Sequence, residues 1–384
     1  MIRLALASTV AGALLVSAHG LSAQAGAPTM VDVGGHKLNV RVNGAAKPGA
    51  PTIIFESGLG SPLAAWNGVN VTVADSSRTI AYERAGIGAS EPGKEPPTVK
   101  HIAAELHALL SKLDAPPPYV LVGHSLGGPI INTFAATFPR EIAGLVFIDP
   151  TDFMQTDADM AAVWEKVGVK NGRDSVRTLQ AKMLTGMPAG VVAEWREVDR
   201  VERGGFAEYR AAGDAPAVPM VVLLAAKGEP SAAGVGFPGD FNRFFQALMD
   251  QRIEHFGRLA RRGAKGTLVL TTKSGHFIHG SEPELVVWAI RRVLAMAKPH
   301  PELDRFVGQY PFTPAFTITI TRDDDKLMLQ ATGQQAFALA AESATTFSLQ
   351  MVGAKIEFET DASGNTTGLV LVQNGVRQRA PKAK

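Results

Sequence analysis

Short apolar runs alternate with longer amphipathic stretches from Val31 to Ala297. Eight of the runs have the length and composition of strands, and most are continuously apolar: TMVDV, HKLNVRV, TIIFE, TIAYE, YVLVG, LVFID, MVVLLAA and TLVLTT. Strands that are apolar throughout are covered on both faces, which is typical of a parallel sheet between layers of helices. The pattern therefore predicts an α/β domain with an eight-stranded, mostly parallel sheet, whose first two runs form a hairpin across Gly34 and Gly35.

Helical periodicity fills the gaps between the runs. Residues 99–113 carry a leucine-rich stripe, and residues 283–296 begin with Pro and Glu, which favour a helix N-terminus. The alternation breaks once, because residues 151–215 contain no strand-like run. An insertion of this size between two strands usually packs over the carboxyl edge of the sheet, so we expect residues 151–215 to form a helical lid.

Period-two alternation replaces this pattern after Lys298. Segments such as FTITITRDDDKLMLQ and LVLVQNGVRQR have polar and apolar residues in turn, separated by turn signals such as Asn374-Gly375. We predict that residues 26–298 form the α/β domain and that residues 299–384 form a small antiparallel β meander or barrel.

The N-terminus has the features of a secretory signal peptide. Arg3 precedes an apolar run that reaches Ala18, and Ala23-Gln24-Ala25 is a small-x-small cleavage site. The run is shorter than the roughly 20 residues of a membrane span, so we expect residues 1–25 to be removed and no stable membrane insertion to remain. The mature protein is predicted to be periplasmic or secreted, and without cysteine it gains no disulfide there.

Composition excludes several classes of protein. The 384 residues are 46% hydrophobic and 19% charged, with a formal net charge of +2, which is ordinary for a globular protein. The densest basic segment, residues 258–265, is better explained as a helix end than as a nucleic-acid surface. No dinucleotide or phosphate-loop motif and no metal-ligand spacing occurs, so neither a cofactor nor a metal is implied.

A serine between glycines ends one apolar run in the stretch YVLVGHSLGGPI. The pattern of Gly123, Ser125 and Gly127 matches G-x-S-x-G, which is short enough that its context decides its meaning. The preceding strand and the following helical segment GGPIINTFAATFP give the strand-turn-helix arrangement of a nucleophile elbow. The glycines permit a sharp turn, which we expect to hold the Ser125 hydroxyl exposed near a helix N-terminus.

The chain resembles the α/β-hydrolase superfamily, in its serine esterase and aminopeptidase-like branch. The resemblance is carried in order by ESGLGSPLAAW, YERAGIGAS, GHSLGG and SGHFIHGSEPELV. It implies Ser125 as nucleophile and His276, between the last strand and the final helix, as the base. His279 is better explained as a substrate contact or loop residue, and His124 as a packing residue inside the elbow.

The same resemblance leaves the third member of a triad open. Asp149 ends LVFID beside the nucleophile strand, and Glu229 follows MVVLLAAKG one strand further on; family members use both places. Asp152 and Asp240 are weaker alternatives. The backbone N-H groups of Leu59 and Leu126 are the expected oxyanion hole, and Arg84 is expected to order the loop beside the site.

These residues predict an exported serine hydrolase that cleaves a carboxylic ester of a small, apolar substrate through an acyl-enzyme. Aminopeptidase, amidase, thioesterase or lactonase activity on the same triad is an alternative, and so is a non-catalytic binding protein on this scaffold. The C-terminal segment resembles small β-domains of some secreted serine hydrolases and penicillin-binding-like enzymes, through GQY, KLMLQATGQ and LVLVQNG. Its role and the oligomeric state stay open.

Overall fold

The computed structural model describes residues 26–47, 50–228, 236–297, 301–323, 326–361 and 363–383. The predicted signal peptide lies outside these ranges. The chain divides into two units, the first ending at Ala297 and the second formed by the residues that follow, and each has its own hydrophobic core.

One sheet forms the frame of the first unit. Its strands are β1 (Thr29–Asp32), β2 (Lys37–Asn43), β3 (Thr52–Glu56), β4 (Thr79–Tyr82), β5 (Tyr119–His124), β6 (Ile142–Ile148), β7 (Met220–Ala225) and β8 (Thr267–Thr271). The order across the sheet is β1-β2-β4-β3-β5-β6-β7-β8, and only the β1-β2 and β2-β4 pairs are antiparallel. The predicted eight-stranded, mostly parallel sheet is confirmed, and each strand overlaps one of the eight apolar runs.

Helices cover both faces of this sheet. They are α1 (Asn67–Val73), α2 (Val99–Lys112), α3 (Gly127–Thr137), α4 (Asp157–Val167), α5 (Gly172–Met183), α6 (Ala189–Arg203), α7 (Ala207–Ala211), α8 (Phe241–Arg262), α9 (Ile278–Ser281) and α10 (Pro283–Ala297). Alternate strand residues enter two cores: Ile54 packs with residues of α2, α3 and α8, whereas Phe55 packs with residues of α1 and α10. Burial on both faces explains why the strands are apolar throughout.

The insertion between β6 and β7 is helical, as the missing strand signal predicts. It consists of α4 to α7. Thr156 and Asp159 form a capping box at the start of α4, and Gly168 ends that helix with a φ of +72°, in the left-handed region that favours glycine. None of the helices in the described ranges has both the length and the apolar character needed to cross a bilayer.

The second unit contains two antiparallel sheets. After a short helix, α11 (Pro301–Asp304), its strands are β9 (Gly308–Thr313), β10 (Phe316–Asp323), β11 (Lys326–Ala331), β12 (Phe337–Ala338), β13 (Ala340–Ala341), β14 (Thr346–Leu349), β15 (Ala354–Thr360), β16 (Thr366–Gln373) and β17 (Val376–Pro381). β9 to β12 form one sheet and β13 to β17 the other, each with neighbours in chain order.

The predicted small antiparallel β-domain is confirmed, with a meander divided into two sheets around one core. Phe306 and Phe358 stack at its centre with ring centroids 4.2 Å apart, and Tyr310 and Phe347 complete the cluster. Asn374 and Gly375 both have positive φ and join β16 to β17 in a two-residue turn.

Candidate active site

The elbow between β5 and α3 holds Ser125 at a φ of +53°. A Cβ atom on Gly123 would lie 2.6 Å from the carbonyl oxygen of Gly127, and one on Gly127 would lie 2.3 Å from that of Glu56. These separations are too short for any side chain, so both flanking positions require glycine. The turn is therefore built around the strained backbone of one serine.

Hydrogen bonds fix the backbone of Ser125, whereas its hydroxyl has no partner in the described part of the chain. Its N-H donates to the carbonyl of Ile148 at 3.1 Å, and its own carbonyl accepts from the N-H groups of Gly128 and Thr151, both at 2.9 Å. Within the described residues, Oγ makes no hydrogen bond. The side chain is only 1% exposed, unlike the exposed hydroxyl that we expected, because the loop after β3 packs against it at Gly58.

His276 and Asp149 meet at the same edge of the sheet. Asp149 follows β6 with a φ of +37°, and His276 follows β8. Nδ1 of His276 lies 2.6 Å from Oδ2 of Asp149. Because ionised Asp149 can only accept, Nδ1 is the protonated ring nitrogen, which leaves Nε2 able to accept a proton.

The other predicted acids are placed differently. Asp152 accepts from Nδ1 of His255 at 2.7 Å, and Asp240 caps α8 by accepting from the N-H groups of Asn242 and Arg243. Glu229 lies outside the described residues. Asp149 is the predicted carboxylate that the described residues bring to His276.

The Asp149 carboxylate is buried and ion-paired. Nη1 of Arg252 lies 2.9 Å from Oδ1, which also accepts from the N-H of Ala225 at 3.1 Å. Burial raises the pKa of Asp149, but Arg252 and the hydrogen bond from His276 lower it more, and the resulting pKa is about 2. The carboxylate is therefore ionised at neutral pH and can hold the His276 ring in one orientation.

Two further histidines pack around His276. Nε2 of His124 donates to the carbonyl oxygen of His276 at 2.9 Å, and the rings of His124 and His279 lie 4.3 Å apart. Burial, together with the neighbouring histidines, holds the pKa of His124 well below its usual value, and burial beside His276 lowers the pKa of His279 to about 4. Both rings are neutral near pH 7 and pack against the loop that carries His276.

The predicted oxyanion donors lie on either side of the serine. Leu126 directly precedes α3, and Leu59 belongs to the loop after β3. A Cβ atom on Gly58 would lie 3.3 Å from Cβ of Ser125, so this loop approaches the nucleophile closely. Within the described ranges, no hydrogen-bond acceptor is assigned to the N-H of Leu59 or Leu126. Both donors are thus available to a ligand.

A cavity of about 130 Å³ lies beneath the helical insertion and reaches His276 and Asp149. Trp164, Trp195 and Leu248 contribute apolar wall. Charged side chains also line it, among them Arg173, Arg177, Asp199 and Glu202. The cavity lining is therefore mixed, with apolar and charged side chains together.

Arg252 and the detailed role of Arg84 were missed by sequence reasoning. Arg252 falls on the buried stripe of α8 with Met249 and Phe256, and a cation in an apolar stripe is a signal for a buried anionic partner. Arg84 is buried and donates to the carbonyl oxygens of Ser57 and Gly58 at 2.7 and 2.8 Å, so it holds the loop beside the serine. In the described part of the chain, no group of three or more His, Cys, Asp or Glu residues is arranged for a metal ion.

The two units match two different family models. Residues 51–180 match the family model of the alpha/beta hydrolase fold, and residues 295–379 match a domain of unknown function (DUF3471). A solved structure of lip1 from Acinetobacter baumannii AYE, reported as a candidate lipase, superposes with a TM-score of 0.50 at 17% identity, covering 70% of this chain and 91% of that one. This likeness shows the fold.

Two curated relatives match over shorter stretches. "Probable transporter efuK" of Hormonema carpetanum is 37% identical over 125 residues, covering 31% of this chain and 18% of that protein. The 2-(acetamidomethylene)succinate hydrolase of Mesorhizobium japonicum is 32% identical over 128 residues, covering 33% of this chain and 44% of that protein. This chain therefore spans less than half the length of either relative.

We expect Asp149→Asn to lower the free energy of unfolding by about 3 kcal/mol at pH 7, because the amide leaves buried Arg252 without its carboxylate. The folded-state pKa of about 2 lies below the ordinary 3.8, so the carboxylate stabilises the fold fully above about pH 4 and loses this effect as the pH falls toward 2. Urea unfolding of both proteins between pH 7 and pH 3 measures the difference.

Asp214→Asn is the matched control for this measurement. Asp214 pairs with Arg262 at an exposed site, so its replacement should change stability by less than about 1 kcal/mol. A difference between Asp149→Asn and the wild type that did not shrink at low pH would contradict the ionised state of Asp149.

Proposed function

We propose that this chain, which carries a domain of the α/β-hydrolase superfamily, is a serine hydrolase that cleaves small carboxylic esters through an acyl-enzyme. The observation that carries the proposal is the 2.6 Å hydrogen bond between His276 and Asp149, at the sheet edge where Ser125 occupies the elbow. The curated relative from Mesorhizobium japonicum is named as a hydrolase, which supports hydrolysis as the class of reaction.

In the proposed mechanism, Oγ of Ser125 attacks the ester carbonyl while Nε2 of His276 takes its proton. Ionised Asp149 holds Nδ1-H and stabilises the imidazolium that forms. The N-H groups of Leu59 and Leu126 stabilise the oxyanion. His276 then protonates the leaving alcohol, and water attacks the acyl-enzyme with His276 as base in the second half of the reaction. This mechanism requires a hydrogen bond from Oγ of Ser125 to His276, which the described residues do not make; catalytic hydrogen bonds often tighten only in the complex with substrate.

The cavity beneath the insertion supports a short acyl group. Its volume of about 130 Å³ is close to the roughly 150 Å³ of an engineered protein cavity that takes up benzene. Apolar wall from Trp195 and Leu248 suits a hydrocarbon chain.

We also propose that the protein is exported. The support is the sequence of residues 1–25, with its basic start, apolar run and Ala23-Gln24-Ala25.

We expect Ser125→Ala and His276→Ala each to lower kcat toward p-nitrophenyl esters by at least about 10³-fold, since removing any member of a triad has an effect of this order. Ser111→Ala, an exposed serine of α2, is the control and should keep wild-type turnover. Turnover that survives Ser125→Ala would exclude the serine mechanism, whereas a wild type without turnover would favour a binding role.

Acyl-chain dependence tests the cavity. Among p-nitrophenyl acetate, butyrate, octanoate and dodecanoate, we expect kcat/KM to be highest for the two short esters and to fall about tenfold or more by dodecanoate, a loss of about 1.4 kcal/mol. Leu248→Ala enlarges the cavity and should shift the optimum to a longer chain. A steady rise in kcat/KM with chain length would contradict the assignment of this cavity to the acyl group.

Export is checked by expressing the full chain in a Gram-negative host and measuring the intact mass of the periplasmic protein. The expected mass is that of a chain beginning near Gly26. Recovery of the full-length chain from the cytoplasm alone would overturn the proposal.

A further inference from the structure

Helix α6 of the insertion contacts the loop that carries Leu59. Three of its residues, Gly190, Val191 and Glu194, face this loop and the neighbouring segment around Arg84. Glu194 lies four residues after Gly190 and three after Val191, which places it on the same face of the helix as both. The insertion therefore reaches the backbone that is expected to bind the oxyanion.

Glu194 makes the polar part of this contact. Its carboxylate is buried, with Oε1 accepting from Nε of Arg84 at 2.6 Å. Oε2 accepts from Nη2 of Arg84 at 2.9 Å and from the backbone N-H of Gly60 at 2.8 Å. A single side chain of the insertion thus holds both the arginine beneath the loop and the loop itself.

Arg84 also holds the loop that carries Leu59. Nη1 donates to the carbonyl of Ser57 and Nη2 to that of Gly58, while Nη1 also donates to Glu56 at 2.6 Å. The carbonyl of Gly58 and the N-H of Leu59 belong to the same planar trans peptide and point in opposite directions. Fixing the Gly58 carbonyl onto Arg84 therefore aims the Leu59 N-H away from the arginine.

Helix α6 packs tightly against Gly86 and Gly60. A Cβ atom on Gly190 would lie 2.0 Å from the carbonyl oxygen of Gly86, and one on Gly60 would lie 3.1 Å from Cγ1 of Val191. Gly60 and Gly86 also have φ of +64° and +75°, in the region that favours glycine. The backbone of α6 therefore packs directly against Gly86, and Val191 packs directly against Gly60, so a displacement of α6 would move Gly60.

We infer that Glu194 is a positioning residue for the oxyanion hole, so that the Leu59 N-H is aimed at the reacting carbonyl only while α6 is docked against Gly86 and Gly60. The inference rests on the proposed serine hydrolase function. It gives the insertion a part in stabilising the transition state, beyond covering the cavity.

Glu194→Gln is the direct test, because Arg84 keeps Glu56 as a carboxylate partner and no buried charge is left unpaired. We expect kcat toward p-nitrophenyl butyrate to fall about 10- to 100-fold while KM changes less than about threefold, since loss of a complete oxyanion donor lowers kcat by about 10²- to 10³-fold. Circular dichroism and the melting temperature verify the fold of the variant.

Glu197→Gln is the matched control on the same helix. Glu197 is also buried, but its carboxylate pairs with Arg200 within the insertion, at 2.6 Å. Its replacement should leave kcat within about twofold of the wild type, because an ion pair away from the reacting atoms adds no stabilisation specific to the transition state.

Gly190→Ala tests the same inference without changing a charge. The added methyl group cannot fit beside Gly86, so the helix must move away from the loop. We expect a loss of kcat like that of Glu194→Gln, together with a rise in KM, because α6 also lines the cavity. If Glu194→Gln impairs folding, Gly190→Ala still tests whether the docking of α6 controls kcat.

A fluorophosphonate probe separates the inference from the proposed function. Oγ of Ser125 forms a bond to phosphorus, the P-F bond breaks, fluoride leaves and the serine proton passes to His276. Intact mass should show one label on the wild type and none on Ser125→Ala. Failure to label the wild type would overturn the proposed function.

Among labelled proteins, Glu194→Gln and Gly190→Ala should react about 10- to 100-fold more slowly than the wild type, because the phosphoryl oxygen occupies the oxyanion hole. Wild-type labelling and kcat in both folded variants would overturn the inference. So would a rise in KM at constant kcat, which would show that α6 only binds substrate.

Discussion

Hydrogen bonding between parallel strands decides where this candidate site can form. His124 pairs with Ile148 in the β5-β6 ladder, so the residues that follow, Ser125 and Asp149, leave the sheet side by side. β3 ends at the same level, because Glu56 pairs with Gly123. Parallel strands share one carboxyl edge, and this geometry gathers segments that are far apart in the chain. The candidate nucleophile, acid and oxyanion loop depend on that common register.

Burying charge at this edge requires a partner of opposite sign for each group. Asp149 has Arg252, and Arg84 lies between Glu56 and Glu194. An unpaired ion in these surroundings would be destabilising by several kcal/mol, whereas a paired one with its hydrogen bonds satisfied costs much less. Arginine suits both places, because its planar group donates to several acceptors in fixed directions. The same pairs that make burial tolerable also orient the residues around Ser125.

Local sequence patterns were sufficient for the sheet and the elbow but not for the residues that support the site. The strand-turn-helix around Ser125 is contiguous, so spacing alone predicts it. Asp149 and Glu229 both follow apolar strands, so the sequence alone does not say which carboxylate meets His276. Glu194 interrupts an apolar stripe of α6, which indicates a buried cationic partner. The sequence does not say which of its many arginines that partner is, because the pairing is set by the docking of a helix.

Two neighbouring faces of α6 connect substrate binding with the oxyanion loop. Trp195 and Val198 line the cavity that reaches His276, whereas Glu194 bonds Gly60 and Arg84. A ligand that fills the cavity contacts this helix directly, so its binding free energy favours the docked helix over any displaced one. The docked helix in turn holds the Leu59 peptide. Under the proposed mechanism, contacts between the cavity and a remote part of the substrate therefore stabilise the transition state through α6. A substrate that leaves the cavity empty lacks these contacts, so it should have a lower kcat as well as a higher KM.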